Sequence, residues 1–228
     1  MFFFDPTFIL LIPALILAFY AQSKVKSTFA KFSKVRASRS NTGKDVARAL
    51  LDMRGLGDIP VELTKGRLSD HYDPRKKILR LSEPVYGSDS VAALGIAAHE
   101  TGHALQHADN YGPLMLRSSI VPVANFGSFL AFPLFFIGFL FSNSVPWLMD
   151  VGIIFFSGAV AFSLITLPVE FNASSRALTL LREGGYLTDT ELPHAKAVLN
   201  AAAWTYVAAA TMAITHLVRL LILRGMRD

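Results

Sequence analysis

With 228 residues, 52% of them hydrophobic and only 17% charged, the chain is too apolar for an ordinary soluble domain, where charged residues make up about 25%. The absence of cysteine excludes disulfides and thiolate metal ligands and leaves the redox compartment open. The net charge of +5 comes without a nucleic-acid-binding module or interleaved aromatics, so it points to loops near anionic lipid and to no nucleic-acid partner.

The first element in chain order is an apolar run over residues 2–21, long enough to cross a bilayer. A cleavable signal peptide would begin with basic residues. Here none precedes the run, and Lys24, Lys26, Lys31, Lys34, Arg36 and Arg39 follow it. An uncleaved anchor is expected, with the N-terminus outside and the next segment in the cytoplasm.

Residues 23–118 form the longest polar segment, with 16 of the 22 basic residues. A helix is expected over 42–53, capped by Asn41 or Thr42, with Ala47, Leu50 and Leu51 on one side and Gly55 and Gly57 ending it. Val61-Glu62-Leu63 and Ile78-Leu79-Arg80-Leu81 alternate like short strands, and Asp70-His71-Tyr72-Asp73-Pro74-Arg75 between them has turn chemistry. A small β-hairpin or three-stranded sheet is expected. Ser88, Asp89 or Ser90 can then cap a helix over 90–109.

That helix carries the most informative stretch, His99-Glu100-Thr101-Gly102-His103, a His-Glu-x-x-His motif in an alanine-rich run. Positions four apart share a helix face, so His99 and His103 aim two imidazoles at one point, as zinc requires. Glu100 is close enough to hold a water without being a ligand.

Three further apolar stretches follow. Residues 121–141 form a span containing Pro122 and Pro133, and 147–167 form the next, with Trp147 at an interface. Residues 168–196 return to the basic side and complete the polar domain. Residues 197–223 make the last candidate, rich in alanine that permits close packing and would allow, without requiring, a homo-oligomer. That stretch carries His216 and Arg219, with Arg224 and Arg227 after it, against the positive-inside bias. Four spans are expected in all. The fold class is mainly α: an integral membrane protein with about four transmembrane helices and a zincin-like domain, its motif helix beside a little β-structure.

A catalytic zinc takes three protein ligands and keeps one position open. His107, one more turn along, would string three nitrogens over about 12 Å, too far to close on one ion. The metzincin pattern would need Gly and His where Gln106 and Asp109 stand. Glu170, just after a span and on the expected side, is the preferred third donor, against the plainer reading of an interfacial glutamate facing water. Zinc, one per chain, would then activate a water for attack on a carbonyl, with Glu100 moving the proton. Candidates for a donor to the developing oxyanion are His71, His194, Tyr206 and Arg176. Asp73 and Asp109 are candidates to orient the imidazoles.

Five stretches occurring in order carry a resemblance: Asp70-His71-Tyr72-Asp73-Pro74, Leu81-Ser82, the run 97–107 around the motif, Glu170-Phe171-Asn172-Ala173-Ser174-Ser175-Arg176, and Ala202-Ala203-Trp204-Thr205-Tyr206-Val207-Ala208. Over nearly its whole length the chain resembles the bacterial membrane zinc metallopeptidases of the YugP type, classed as neutral zinc metallopeptidases. It is more distantly similar to the HtpX and CAAX-protease gluzincins. The resemblance implies zinc at His99, His103 and Glu170, with Glu100 as base. In gluzincins an Asp follows the ligand Glu by four residues; here that position is Ser174, so its orienting role does not carry over.

The leading expectation is a zinc endopeptidase of the bacterial inner membrane, multi-pass, with its site on the cytoplasmic side. Its substrates would be peptides in membrane or membrane-proximal proteins. The alternatives are a non-enzymatic membrane scaffold with a structural metal site, and a transporter using His216 and Arg219, against which no internal repeat is seen.

Overall fold

The computed structural model describes residues 6–66 and 68–227, so positions 2–5 of the first expected span lie outside the described residues. A short 3-10 turn, Pro6–Leu10, leads into helix α1 (Leu11–Phe32). Then come α2 (Gly43–Met53), strands β1 (Val61–Thr64), β2 (His71–Asp73) and β3 (Ile78–Ser82), and a one-turn α3 (Glu83–Tyr86). Four longer helices follow: α4 (Val91–Ala108), α5 (Gly112–Leu140), α6 (Trp147–Glu183) and α7 (Leu192–Gly225). Among the described residues, four stretches are long and apolar enough to cross a membrane: Pro6–Phe32, α5, α6 and α7.

The helices outrun the segments expected from hydropathy. No break separates a span ending at 167 from a return segment starting at 168: α6 passes through Pro168 and ends at Glu183. A proline inside a helix frees one carbonyl and need not end the helix where neighbours compensate.

The chain divides into two compact units. One comprises residues 6–21, 115–168 and 205–227. Its interior is built from Ala131, Phe135, Met149, Phe156, Val160 and Leu220. Side chains such as Val123, Phe126 and Phe129 on α5 are exposed, as suits helices whose outer faces meet lipid rather than water. Arg219 is buried, donates to Thr7 Oγ1 at 3.0 Å and stacks its guanidinium over Phe8. His216 packs edge-on against Phe132 and Phe156. Both residues thus sit in packed, partly apolar surroundings.

The other unit comprises residues 22–66, 68–114 and 169–204. Its sheet has the order β1-β3-β2, with β1 parallel and β2 antiparallel to β3. The three-stranded alternative therefore holds, and part of the expected turn at 70–75 is β2. One bond and one burial explain this: Asp70 Oδ1 accepts from Ser82 N at 2.7 Å, which draws the chain beside the end of β3, and Tyr72 is buried. The turn falls after β2, where Asp73 Oδ1 accepts from the backbone N–H groups of Arg75 and Lys76.

Helix α2 starts at a capping box between Thr42 and Asp45. It lays Val46 and Leu50 into one cluster with Val91, Leu94, Ala98 and Leu181, and Ala47 and Leu51 into another with Tyr72, Leu79 and Leu81. Helix α4 is capped by Ser90 and lies between these clusters, buried on most of its faces. This is why it is rich in alanine: small side chains let neighbours approach from several directions.

Of the two glycines of α4, Gly102 has the closer neighbour. A Cβ there would lie 2.7 Å from Ala173 O on α6, an impossible contact against backbone. At Gly95 an added Cβ would meet Ala195 Cβ at 3.4 Å, an ordinary contact. Gly102→Ala is therefore expected to cost about 1–3 kcal/mol through overpacking. Gly95→Ala should be near neutral or slightly stabilising through helix propensity. Thermal unfolding of both variants in detergent measures the contrast; equal effects would mean that the α4–α6 approach does not limit residue size.

Candidate metal centre

His99 and His103 lie one turn apart on α4, their rings edge-on with centroids 4.7 Å apart. Glu170 stands on α6 and is only 3% exposed. Its Oε2 lies 3.3 Å from His99 Nε2 and 3.5 Å from His103 Nε2. The three donor atoms fall within 4.8 Å of one another. Ligands about 2.0–2.1 Å from a tetrahedral ion are separated by about 3.3 Å, so the two nitrogen–oxygen distances already have the spacing of such a site. Two imidazoles and a carboxylate are a zinc-type donor set, and cobalt or manganese would also accept them.

The local electrostatics favour a cation. Glu170 and Glu100, 8% exposed, bring two carboxylates into a largely buried place, which is costly unless they are paired. Burial alone would disfavour a charged His103. Its hydrogen bond to Glu170 and the nearby charges of Glu100 and Glu170 outweigh that and raise its pKa above the ordinary value.

The outer nitrogens of both imidazoles have partners. His99 Nδ1 is 3.2 Å from Ser174 Oγ, and His103 Nδ1 is 3.0 Å from Gln106 Oε1. Gln106 also donates from Nε2 to Val169 O and to Asn172 Oδ1. Glu100 turns off the His face, where its Oε2 accepts from the backbone N–H of Tyr72 at 3.0 Å. That N–H fixes one oxygen of the carboxylate. The Tyr72 hydroxyl lies 2.9 Å from His107 Nδ1. Burial, and then the charge of Asp73, push its pKa up, so the phenol stays protonated and able to donate.

Of the other residues singled out from the sequence, His71, Asp73, Asp109, Arg176 and His194 are engaged apart from the three donors. His71 is exposed, with Nδ1 2.8 Å from Ser69 O. Asp73 caps the turn after β2 and orients neither imidazole. Asp109 pairs with Arg176, which also donates from Nε to Asn172 Oδ1 at 2.8 Å. His194 stacks on Phe32 with centroids 4.8 Å apart, and its Nδ1 is buried without a hydrogen-bond partner among the described residues. Tyr206 lies on α7 in the other unit. His107 is occupied by Tyr72 rather than by the donor cluster. The pocket lined by Arg54, Leu105, Asp109, Ser175 and Arg176 includes none of the three donors.

Sequence reasoning missed Tyr72, Gln106, Asn172 and Ser174. Only Gln106 carried a local signal, three residues past His103 on the same helix face.

The family described as "Putative neutral zinc metallopeptidase" matches residues 7–225. The chain is 53% identical over 210 residues, 92% of each chain, to the "Putative membrane protease YugP" of Bacillus subtilis (strain 168). No solved structure matches it.

Tyr72→Phe removes the phenol–His107 hydrogen bond but leaves the backbone N–H that holds Glu100. It should cost about 1 kcal/mol in thermal unfolding. A loss several times larger would show that the phenol also holds β2 against α4.

Proposed function

The chain belongs to the neutral zinc metallopeptidase family, and we propose that it is a zinc endopeptidase of the gluzincin type, acting on membrane or membrane-proximal proteins. One observation carries this reading: two imidazole nitrogens lie 3.3 and 3.5 Å from one carboxylate oxygen. His99, His103 and Glu170 would hold one zinc. Bound there, zinc supplies Lewis acidity toward a peptide carbonyl and activates a water for attack.

The remaining work falls to the protein. Glu100, anchored through one oxygen by the Tyr72 N–H, accepts the proton of the attacking water and passes it to the leaving amine nitrogen. Gly102 lets α4 and α6 approach closely enough to bring Glu170 to the histidines.

The basic residues that follow the first apolar stretch support an outside N-terminus and a site on the cytoplasmic side of a bacterial inner membrane. Glu170 stands three residues after the apolar run that ends at Leu167. This order supports a site near the bilayer surface and therefore membrane-anchored or juxtamembrane substrates.

Glu100→Gln preserves size and an acceptor for Tyr72 N–H, so it should retain about one zinc per chain while losing turnover by roughly 10²-fold or more. Glu170→Ala should lose most of the zinc. Metal analysis and a peptidase assay in detergent, with wild type alongside, read both. Full activity in Glu100→Gln would contradict its role as base, and zinc retained in Glu170→Ala would place the third donor elsewhere. Cleavage of a membrane-anchored substrate should exceed that of the same sequence as a soluble unfolded chain. Equal rates would contradict the substrate class.

A further inference from the structure

Gln106 is completely buried, and its surroundings identify both ends of its amide. Asn172 Oδ1 accepts from Arg176 Nε at 2.8 Å, so that atom is the oxygen of Asn172. Gln106 Nε2 reaches this oxygen at 2.9 Å and Val169 O at 2.8 Å. Two acceptors require the NH2 end of the amide. The oxygen end of Gln106 therefore faces His103 Nδ1 at 3.0 Å, and His103 must donate there. In the neutral, metal-binding imidazole the lone pair is then on Nε2, the nitrogen that faces Glu170.

The same amide also holds Val169 O, the carbonyl of the peptide unit leading into Glu170. One side chain on α4 thus grips a donor on its own helix and the backbone beside the donor on α6. His99 has a parallel arrangement: Ser174 Oγ faces Nδ1, and Nε2 faces Glu170. Both outer partners are neutral oxygens. A carboxylate in either place would make the imidazole more basic; the Gln106 amide oxygen, which only accepts, fixes the His103 tautomer without adding charge, whereas the Ser174 hydroxyl, which both donates and accepts, selects no tautomer.

We propose that Gln106 is a positioning residue of the metal centre: it fixes His103 as the Nδ1–H tautomer and locks the adjoining turn of α6. This rests on the metal-site reading above.

The test is zinc affinity of the purified full-length chain in detergent, by chelator competition, with the melting temperature of each metal-free protein recorded alongside. Gln106→Leu should weaken zinc binding by about 10–100-fold. Gln106→Glu keeps an acceptor for His103 but loses both donated bonds. It should recover most of the zinc affinity while melting below wild type. Wild-type affinity in Gln106→Leu, even with a lowered melting temperature, would make Gln106 a packing residue and overturn the proposal. A loss that Gln106→Glu does not recover would also overturn it. Wild-type protein that binds no zinc would instead overturn the metal-site reading, and this proposal with it.

Discussion

The approach of α4 to α6 is the constraint on which the site depends, because two of the three donors stand on α4 and the third on α6. Bringing Glu170 Oε2 within 3.3–3.5 Å of both imidazoles needs the helix backbones nearly in contact. Gly102 provides that contact by leaving room for Ala173 O. Gln106 then ties the helices together through Val169 O and Asn172. The glycine inside the motif and the glutamine after it thus serve one purpose: the first permits the approach, and the second holds its register.

The electrostatics follow from the same contact. A carboxylate as buried as Glu170 is stable only with a compensating charge or a full set of hydrogen bonds. The imidazole nitrogens that face it supply that charge when protonated, and a divalent cation among the three donors supplies it when the imidazoles are neutral. Glu100 is separated from this task by its position one residue along the helix, about 100° round from His99. The sheet holds it there, since its partner is the backbone N–H of β2. The small sheet therefore bears directly on the chemistry, although no strand supplies a donor side chain.

Features set by local spacing could be read from the sequence. The His-Glu-x-x-His spacing, the Ser90 and Thr42 caps, the apolar stretches and Glu170 are of this kind. What escaped depends on contacts between distant parts of the chain. Asp70-His71-Tyr72-Asp73-Pro74 has the composition of a turn, yet a bond from Ser82, twelve residues on, makes part of it a strand. Gln106 looked only like a position that broke the metzincin pattern; its partners at Val169 and Asn172 lie more than sixty residues away. Ser174 looked like the loss of an orienting carboxylate, but its hydroxyl stands at His99 Nδ1. Arg176 and Asp109 were weighed for roles at the metal and instead pair with each other. Pro168 stands at the division between the two compact units, yet α6 runs on through it, because hydropathy marks where a span can lie and not where its helix ends.

X-ray absorption at the zinc edge of the purified full-length protein tests the donor set most directly. The geometry predicts one zinc per chain with two imidazole nitrogens at about 2.0–2.1 Å and oxygen ligands at about 2.0–2.2 Å. It also predicts loss of one imidazole from that shell in His103→Ala. A shell with three imidazoles, or one unchanged in His103→Ala, would contradict a centre built from His99, His103 and Glu170.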